Sequence, residues 1–155
     1  MPVTLPPLAH VGIVVADLER AAADYERRWG VTTDQVVDMA LDDARLRGTP
    51  APTAARYTFI STGASQIELI QPLGAPSPYT EFLEANGGDG VHHLAYVVDD
   101  IDPFLEYLRE AGDPVDVGFT TSFTFPGLGS GRFVYIDGLT HGSVTELIEL
   151  TPVAS

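Results

Sequence analysis

Two stretches of the chain share one pattern of hydrophobic and polar positions. LAHVGIVVADLERAAADYERR (residues 8–28) aligns with VHHLAYVVDDIDPFLEYLREA (residues 91–111), which places His10 over His93. In each copy a short apolar run precedes apolar residues at helical spacing. Asp17 and Asp100 stand between the two patterns, where a short carboxylate can cap a helix. The chain is therefore predicted to contain two copies of a strand that leads into a helix.

A second matched pair lies further along the chain. SQIELI (residues 65–70) resembles SVTELI (residues 143–148), with Glu68 over Glu146. Strands are also predicted just before each member of the pair, at RYTFIS and RFVYID. The order in each half is thus strand, helix and then several strands. This order predicts the α+β class, with mixed sheets built from two similar modules.

The segments between these patterns are assigned from their turn and cap residues. A short helix is expected from Pro78 to Asn86, with Ser77 as its cap and proline in its first turn. LDDARLRGTPAPTAA (residues 41–55) and FPGLGSG (residues 125–131) are predicted to be loops. Tyr25 and Trp29 are interpreted as packing residues of the first helix, and His141 as a loop residue.

The composition narrows the classes of function. The 155 residues suffice for one domain, and the formal net charge of −14 disfavours nucleic-acid and membrane-surface partners. There is no cysteine, which removes disulfides, thiolate ligands and cysteine nucleophiles. Neither a transmembrane run nor a signal peptide is recognised, so a cytoplasmic protein is expected.

Two adjacent histidines, His92 and His93, open the second repeated strand. The repeat pairs His93 with His10, and each is followed two positions later by a small residue, Ala95 or Gly12. Because side chains alternate along a strand, His92 is predicted to point to the face opposite His93 and to leave metal binding largely intact when replaced. His93 is therefore the functional candidate.

Two carboxylates interrupt the apolar strands of the second matched pair. Glu68 and Glu146 would be costly on a sheet interior unless they were paired or bound to a metal. With His10 and His93 they make two matched pairs that can converge on one divalent ion such as Zn, Mn, Co, Ni or Fe. This set would leave positions free for water or substrate.

These residues resemble the vicinal oxygen chelate superfamily, which includes glyoxalase I, methylmalonyl-CoA epimerase, extradiol dioxygenases and bleomycin-resistance proteins. The best matched pieces are HVGIVVADLERAAADYERRWG, SQIELIQPLGAPSPYTEFLEANGGDGVHHLAYVVDDID and GSVTELIEL. The resemblance implies two paired βαβββ modules whose cupped sheet surrounds a metal held by His10, Glu68, His93 and Glu146. It also implies a homodimer.

The domain organisation expected from the repeat and the resemblance is a single domain over residues 1–155. Module one covers about residues 8–75, a linking helix about residues 77–87, and module two about residues 90–150.

The chain departs from the epimerases at one position. They carry a separate catalytic glutamate on the strand before SQIELI, whereas RYTFIS has no carboxylate, which argues against simple methylmalonyl-CoA epimerisation. The segment FTTSFTFPGLGSGRF holds four phenylalanines, which favour a substrate with an apolar or aromatic part.

The first functional hypothesis is a metal-dependent isomerase or lyase that acts through an enolate. Its substrate is a small carbonyl compound or acyl thioester, and Glu146 or Glu68 moves the proton on the adjacent carbon. One alternative is an Fe(II)-dependent dioxygenase. The other is a non-catalytic protein that binds a small molecule.

Overall fold

The computed structural model describes residues 3–152. Its helices are α1 (Leu18–Trp29), α2 (Pro78–Asn86) and α3 (Ile101–Glu110). Its strands are, in chain order, β1 (His10–Val14), β2 (Val37–Leu41), β3 (Arg45–Leu46), β4 (Thr49–Pro50), β5 (Thr53–Ser61), β6 (Gln66–Pro72), β7 (Gly90–Val98), β8 (Asp116–Phe125), β9 (Gly129–Asp137) and β10 (Val144–Pro152).

The strands form one mixed sheet in the order β2-β5-β6-β1-β7-β10-β9-β8-β3-β4. β1 and β7 pair antiparallel at its centre, and each has a parallel neighbour, β6 and β10 respectively. Outwards from the centre, β6, β5 and β2 follow β1 just as β10, β9 and β8 follow β7. Each half is therefore a βαβββ module, and the predicted α+β class with a cupped mixed sheet is confirmed.

The prediction of a loop over residues 41–55 is wrong, because the segment contains the hairpin β3–β4 and the start of β5. Arg47 and Gly48 both have positive φ, 49° and 78°, which is the backbone that a tight two-residue hairpin turn requires. β3 pairs with β8 of the other module. The first module thus reaches across to the outer edge of the second, and this contact closes the cup.

The side chain of Asp43 also links the first module to β8 of the second. Asp43 Oδ1 accepts hydrogen bonds from Thr121 Oγ1 at 3.1 Å and from the Ser122 backbone N–H at 2.9 Å. These hydrogen bonds hold the pKa of Asp43 below its usual value. The connection between β2 and β3 is therefore fixed to β8 by a side chain as well as by backbone pairing.

The predicted loop at residues 125–131 is shorter in the structure. β8 continues through Phe125 and β9 begins at Gly129, so the turn occupies only residues 126–128. Gly127 has a φ of 78°, which a residue without Cβ adopts at little cost. The phenylalanines flanking this turn consequently lie on strands.

The predicted helix caps are confirmed. Asp17 accepts from Arg20 N–H, Asp100 from Asp102 N–H and Ser77 from Thr80 N–H. Helix α1 covers the outer face of module one, and helix α3 covers that of module two. Within residues 3–152 no helix is both long enough and apolar enough to cross a membrane.

The packing role assigned to Trp29 is wrong. Its side chain is 73% exposed, whereas Tyr25, one turn earlier, packs against the apolar cluster under α1. Trp29 is the last residue of α1, and the chain leaves the helix at Gly30 with a φ of 64°. The apolar face of the helix therefore ends before its last turn.

Replacing Leu18 with alanine should lower the free energy of unfolding by about 2–5 kcal/mol, since Leu18, the first residue of α1, is fully buried. Trp29→Ala on the same helix should change it by no more than about 0.5 kcal/mol. Urea unfolding of both variants measures the difference. Equal effects would show that α1 packs differently.

Candidate metal centre

The four predicted site residues lie on the four central strands. His10 is on β1, Glu68 on β6, His93 on β7 and Glu146 on β10. These strands are adjacent in the order β6-β1-β7-β10. The two modules therefore supply one histidine and one glutamate each to the same place in the sheet.

Two rows of register-paired residues explain how the side chains meet. In one row Ala95 lies between His10 and Glu146, and in the other Gly12 lies between His93 and Glu68. Paired residues on neighbouring strands point to the same face, so each histidine reaches its carboxylate over a small residue. A methyl group on Gly12 would overlap the His93 ring.

The donor atoms converge closely. His10 Nε2 and His93 Nε2 are 3.1 Å apart, and each lies 3.0 Å from Glu146 Oε2. Glu68 Oε1 lies 3.4 Å from His10 Nε2 and 3.3 Å from His93 Nε2. All four residues are buried, and the ligand atoms they offer lie within 4.8 Å of one another.

The donor set fits a divalent cation. Although two imidazole nitrogens lie 3.0 Å from Glu146 Oε2, this buried oxygen has no hydrogen-bond partner among residues 3–152. Two imidazole nitrogens and two carboxylates are a ligand set that Zn and similar first-row ions accept. The structure thus brings together all four residues named from the sequence, and their binding of a metal stays a prediction.

Electrostatics link the four groups. Burial alone would lower the pKa of His10, but Glu68 and Glu146 raise it to about 10. The pKa of His93 is raised in the same way, against its own burial. Burial would raise the pKa of Glu146, but His93 and His10 lower it to about 2. Each imidazole therefore favours the charged form of its neighbouring carboxylates.

The prediction that His92 points away from His93 is wrong. Gly12 pairs with His93, but the next residue of β1, Ile13, pairs with Val91. His92 is therefore an extra residue in a β-bulge, where the alternation of side chains does not hold. Its side chain is buried beside His93, with 2.9 Å between the two Nδ1 atoms.

This contact is of the kind that would let His92 orient His93. Burial and the neighbouring His93 lower the pKa of His92 to about 3, so its imidazole is neutral and can accept a hydrogen bond. If His93 used Nε2 as a ligand atom, its Nδ1–H would donate a hydrogen bond to His92 Nδ1. Such partners orient metal-ligating histidines and set their tautomer.

A chain of buried tyrosines, which the sequence analysis did not identify, surrounds His92 and His93. The Tyr79 hydroxyl is 3.1 Å from that of Tyr57 and 2.7 Å from that of Tyr135. The Tyr135 ring lies 5.0 Å from both histidine rings. Burial raises the pKa of all three phenols, which keeps them neutral. Their one signal in the sequence is that Tyr57 and Tyr135 lie within predicted strands.

A cavity of about 400 Å³ opens above the metal centre. Three of the four phenylalanines noted in the sequence line it, while Phe119 is fully buried in the core. His141 lies on an exposed turn and is not part of the lining. The wall is formed by Ala9, His10, Asp34, Met39, Tyr57, Phe59, Gln66, Glu68, Val97, Phe123, Phe125, Pro126, Gly127, Leu128, Phe133, Tyr135, Glu146, Ile148 and Leu150.

Fold and site together define a class of protein, in which two βαβββ modules form a cup around paired histidines and glutamates. The profile described as the Glyoxalase/Bleomycin resistance protein/Dioxygenase superfamily matches residues 9–124. The chain belongs to this family.

Within this family, the chain is similar to several methylmalonyl-CoA epimerases. The ethylmalonyl-CoA/methylmalonyl-CoA epimerase of Cereibacter sphaeroides is 39% identical over 105 residues, which cover 68% of this chain and 70% of that protein. Human mitochondrial methylmalonyl-CoA epimerase is 35% identical over 66% of this chain, a match that spans only 52% of the human protein. The crystal structure of methylmalonyl-CoA epimerase from Mycobacterium tuberculosis superposes with a TM-score of 0.70 at 29% identity, covering 98% of this chain and 93% of that one. Since these relatives are isomerases, the prediction of an enzyme is confirmed.

His92→Ala should weaken divalent-ion binding by about 10–100-fold, because it removes the partner that orients His93. His141→Ala is the matched control, since His141 is exposed and lies outside the centre. Competition titration with a chromogenic chelator measures both affinities. If His92→Ala binds the ion as tightly as the control, the bulge contact does not position the ligand.

Metal-free protein should lose stability as pH rises from 6.5 to 10, because the folded His10 pKa of about 10 lies above its ordinary value of 6.5. It should also lose stability as pH falls from 4.5 towards 2, the lowered pKa of Glu146. Metal affinity should rise over the upper window, since ligand imidazoles must be deprotonated. Urea unfolding with chelator at several pH values tests this, with His10→Gln as control. A stability that increases from pH 6.5 to 10 would contradict the assignment.

Proposed function

We propose that the protein is a metal-dependent isomerase that moves a proton on the carbon next to a carbonyl, in an acyl thioester or a similar small carbonyl compound. One observation carries the proposal: two buried carboxylates, one from each module, meet two imidazoles at the floor of a cavity. The epimerase relatives support this class of reaction.

His10, Glu68, His93 and Glu146 would hold the ion. A divalent cation in that position supplies Lewis acidity, which stabilises the negative charge that develops on a carbonyl oxygen when the neighbouring carbon loses a proton. By accepting a hydrogen bond from His93 Nδ1–H, the bulged His92 would favour the tautomer of His93 that presents Nε2 to the centre.

The proton is moved by carboxylates of the chain. Glu146 and Glu68 both line the cavity, and an ionised carboxylate is the form that accepts a proton. In the proposed reaction one carboxylate takes a proton from the bound carbon and the other returns it. The two carboxylates of the centre would thereby replace the separate catalytic glutamate that β5 lacks.

The cavity wall supports the same chemistry. Phe59 packs edge-on against His10 at 5.7 Å between ring centroids, and Tyr135 lies 5.0 Å from His93. Apolar and aromatic side chains around the carboxylates exclude water and strengthen electrostatic interactions with the reacting carbon.

The Fe(II) dioxygenase and the binding protein are the competing functions. A site with two histidines and one carboxylate keeps positions open for oxygen. Here a second carboxylate, Glu68, lies 3.4 Å from His10 Nε2 and 3.3 Å from His93 Nε2. As a fourth ligand it would occupy a position that an oxygenase keeps open, which disfavours the dioxygenase. A single domain, a cytoplasmic location and a homodimer remain predictions of the sequence.

In D2O, metal-replete protein should introduce deuterium on the carbon next to the carbonyl of an acyl thioester. Mass spectrometry of the thioester measures this exchange. Glu146→Gln should slow this exchange by about 10²–10⁴-fold by removing a proton acceptor. Glu149→Gln is the matched control on β10, because Glu149 instead accepts from the Ile101 N–H and pairs with Arg132.

Metal content of each variant is determined alongside, so that loss of the ion is not mistaken for loss of the base. Absence of exchange on every thioester that binds would contradict the isomerase. Iron-dependent oxygen uptake would establish the dioxygenase instead.

A further inference from the structure

The wall of the cavity is predominantly apolar. Phe59 and Phe125 meet edge to face at 5.6 Å, and Phe123 and Phe133 lie 5.8 Å apart. Met39, Leu128, Ile148 and Leu150 complete much of the remaining surface. Phe59 also contacts His10, so this apolar surface begins directly beside the metal centre. A group attached to the reacting carbon would therefore lie against aromatic rings.

Apart from His10, the ionisable side chains of the wall are all acidic. Glu68 and Glu146 lie at the floor and Asp34 at the exposed rim. Every basic residue of the chain other than histidine is arginine, and within residues 3–152 no arginine lines the cavity. A carboxylate on a ligand would consequently meet no arginine or lysine side chain in the part of the wall that the structure describes.

The arginines nearest in sequence to the wall are already paired with carboxylates. Arg56 binds Asp38 at 2.8 Å, and Arg132 binds Asp102 at 2.9 Å. The two carboxylates of the metal centre would also balance both charges of a divalent ion. Among residues 3–152, no net positive charge is then left at the metal-loaded centre to compensate a buried ligand carboxylate, whose desolvation is costly when it is unpaired.

We propose that the substrate carries a neutral apolar or aromatic substituent on the carbon that loses its proton, and that an acyl group with a free carboxylate on that carbon is disfavoured. This inference rests on the proposed isomerase. It separates the chain from the acyl groups in the names of its relatives, ethylmalonyl-CoA and methylmalonyl-CoA.

The test compares two acyl thioesters of one small thiol, 2-phenylpropionyl and methylmalonyl, which differ in phenyl against carboxylate on the same carbon. Binding to Zn²⁺-loaded protein is measured by ligand-observed NMR titration. The phenylpropionyl thioester should bind at least about 10-fold more tightly. Equal or tighter binding of the methylmalonyl thioester, or binding of neither, would overturn the inference.

Two variants locate the cause. Phe125→Ala should weaken binding of the phenylpropionyl thioester and leave the methylmalonyl thioester unchanged, with exposed Leu73→Ala as the matched control. Glu68→Gln removes one negative charge and should improve methylmalonyl binding relative to phenylpropionyl binding. If neither variant changes the preference, the wall and the charge of the centre do not set it.

Deuterium exchange on the same two thioesters is recorded separately. Exchange on the methylmalonyl thioester with preferential binding of that compound would leave the isomerase standing and refute its substrate class. Preferential binding of the phenylpropionyl thioester, with exchange on neither compound, would support the cavity's selectivity and count against the isomerase.

Discussion

The structure depends on two small residues that stand between histidine and glutamate in the central sheet. Gly12 separates His93 from Glu68, and Ala95 separates His10 from Glu146. Neighbouring strands lie about 4.8 Å apart, so residues two strands away meet only if the residue between them leaves the space above the sheet free. The antiparallel pairing of β1 with β7 makes the two rows run in opposite directions, and their side chains converge on one point.

Bringing two carboxylates together in the protein interior is electrostatically costly, and the neighbouring groups offset that cost. Two carboxylates buried together repel each other unless protons on the imidazoles or a cation balance them. His92 holds His93, Tyr135 packs on both histidines, and the tyrosine hydroxyls satisfy one another. The closed cup, fastened by Asp43 to β8, keeps this polar centre at the base of an apolar cavity.

The repeat in the sequence predicted the modules, the helix caps and the four converging residues, since each depends on local periodicity or on a matched position. It could not predict the bulge at His92, because strand alternation assumes a regular ladder and the extra residue shows only in the pairing of β7 with β1. The β3–β4 hairpin was missed because Arg47 adopts a positive φ that its residue type rarely shows. Trp29 was misplaced because helical periodicity does not show where the supporting sheet ends.

X-ray absorption spectroscopy on protein loaded with one equivalent of Zn²⁺ would show whether the four residues bind a metal, because it counts the ligands and measures their distances together. Two imidazole nitrogens and carboxylate oxygens are expected at about 2.0–2.2 Å from the ion. Replacing His10 or His93 with alanine should remove one imidazole from the spectrum or release the ion. A spectrum of Zn²⁺ bound to water and carboxylates alone, unchanged in both variants, would contradict the claim that the two modules join at a metal.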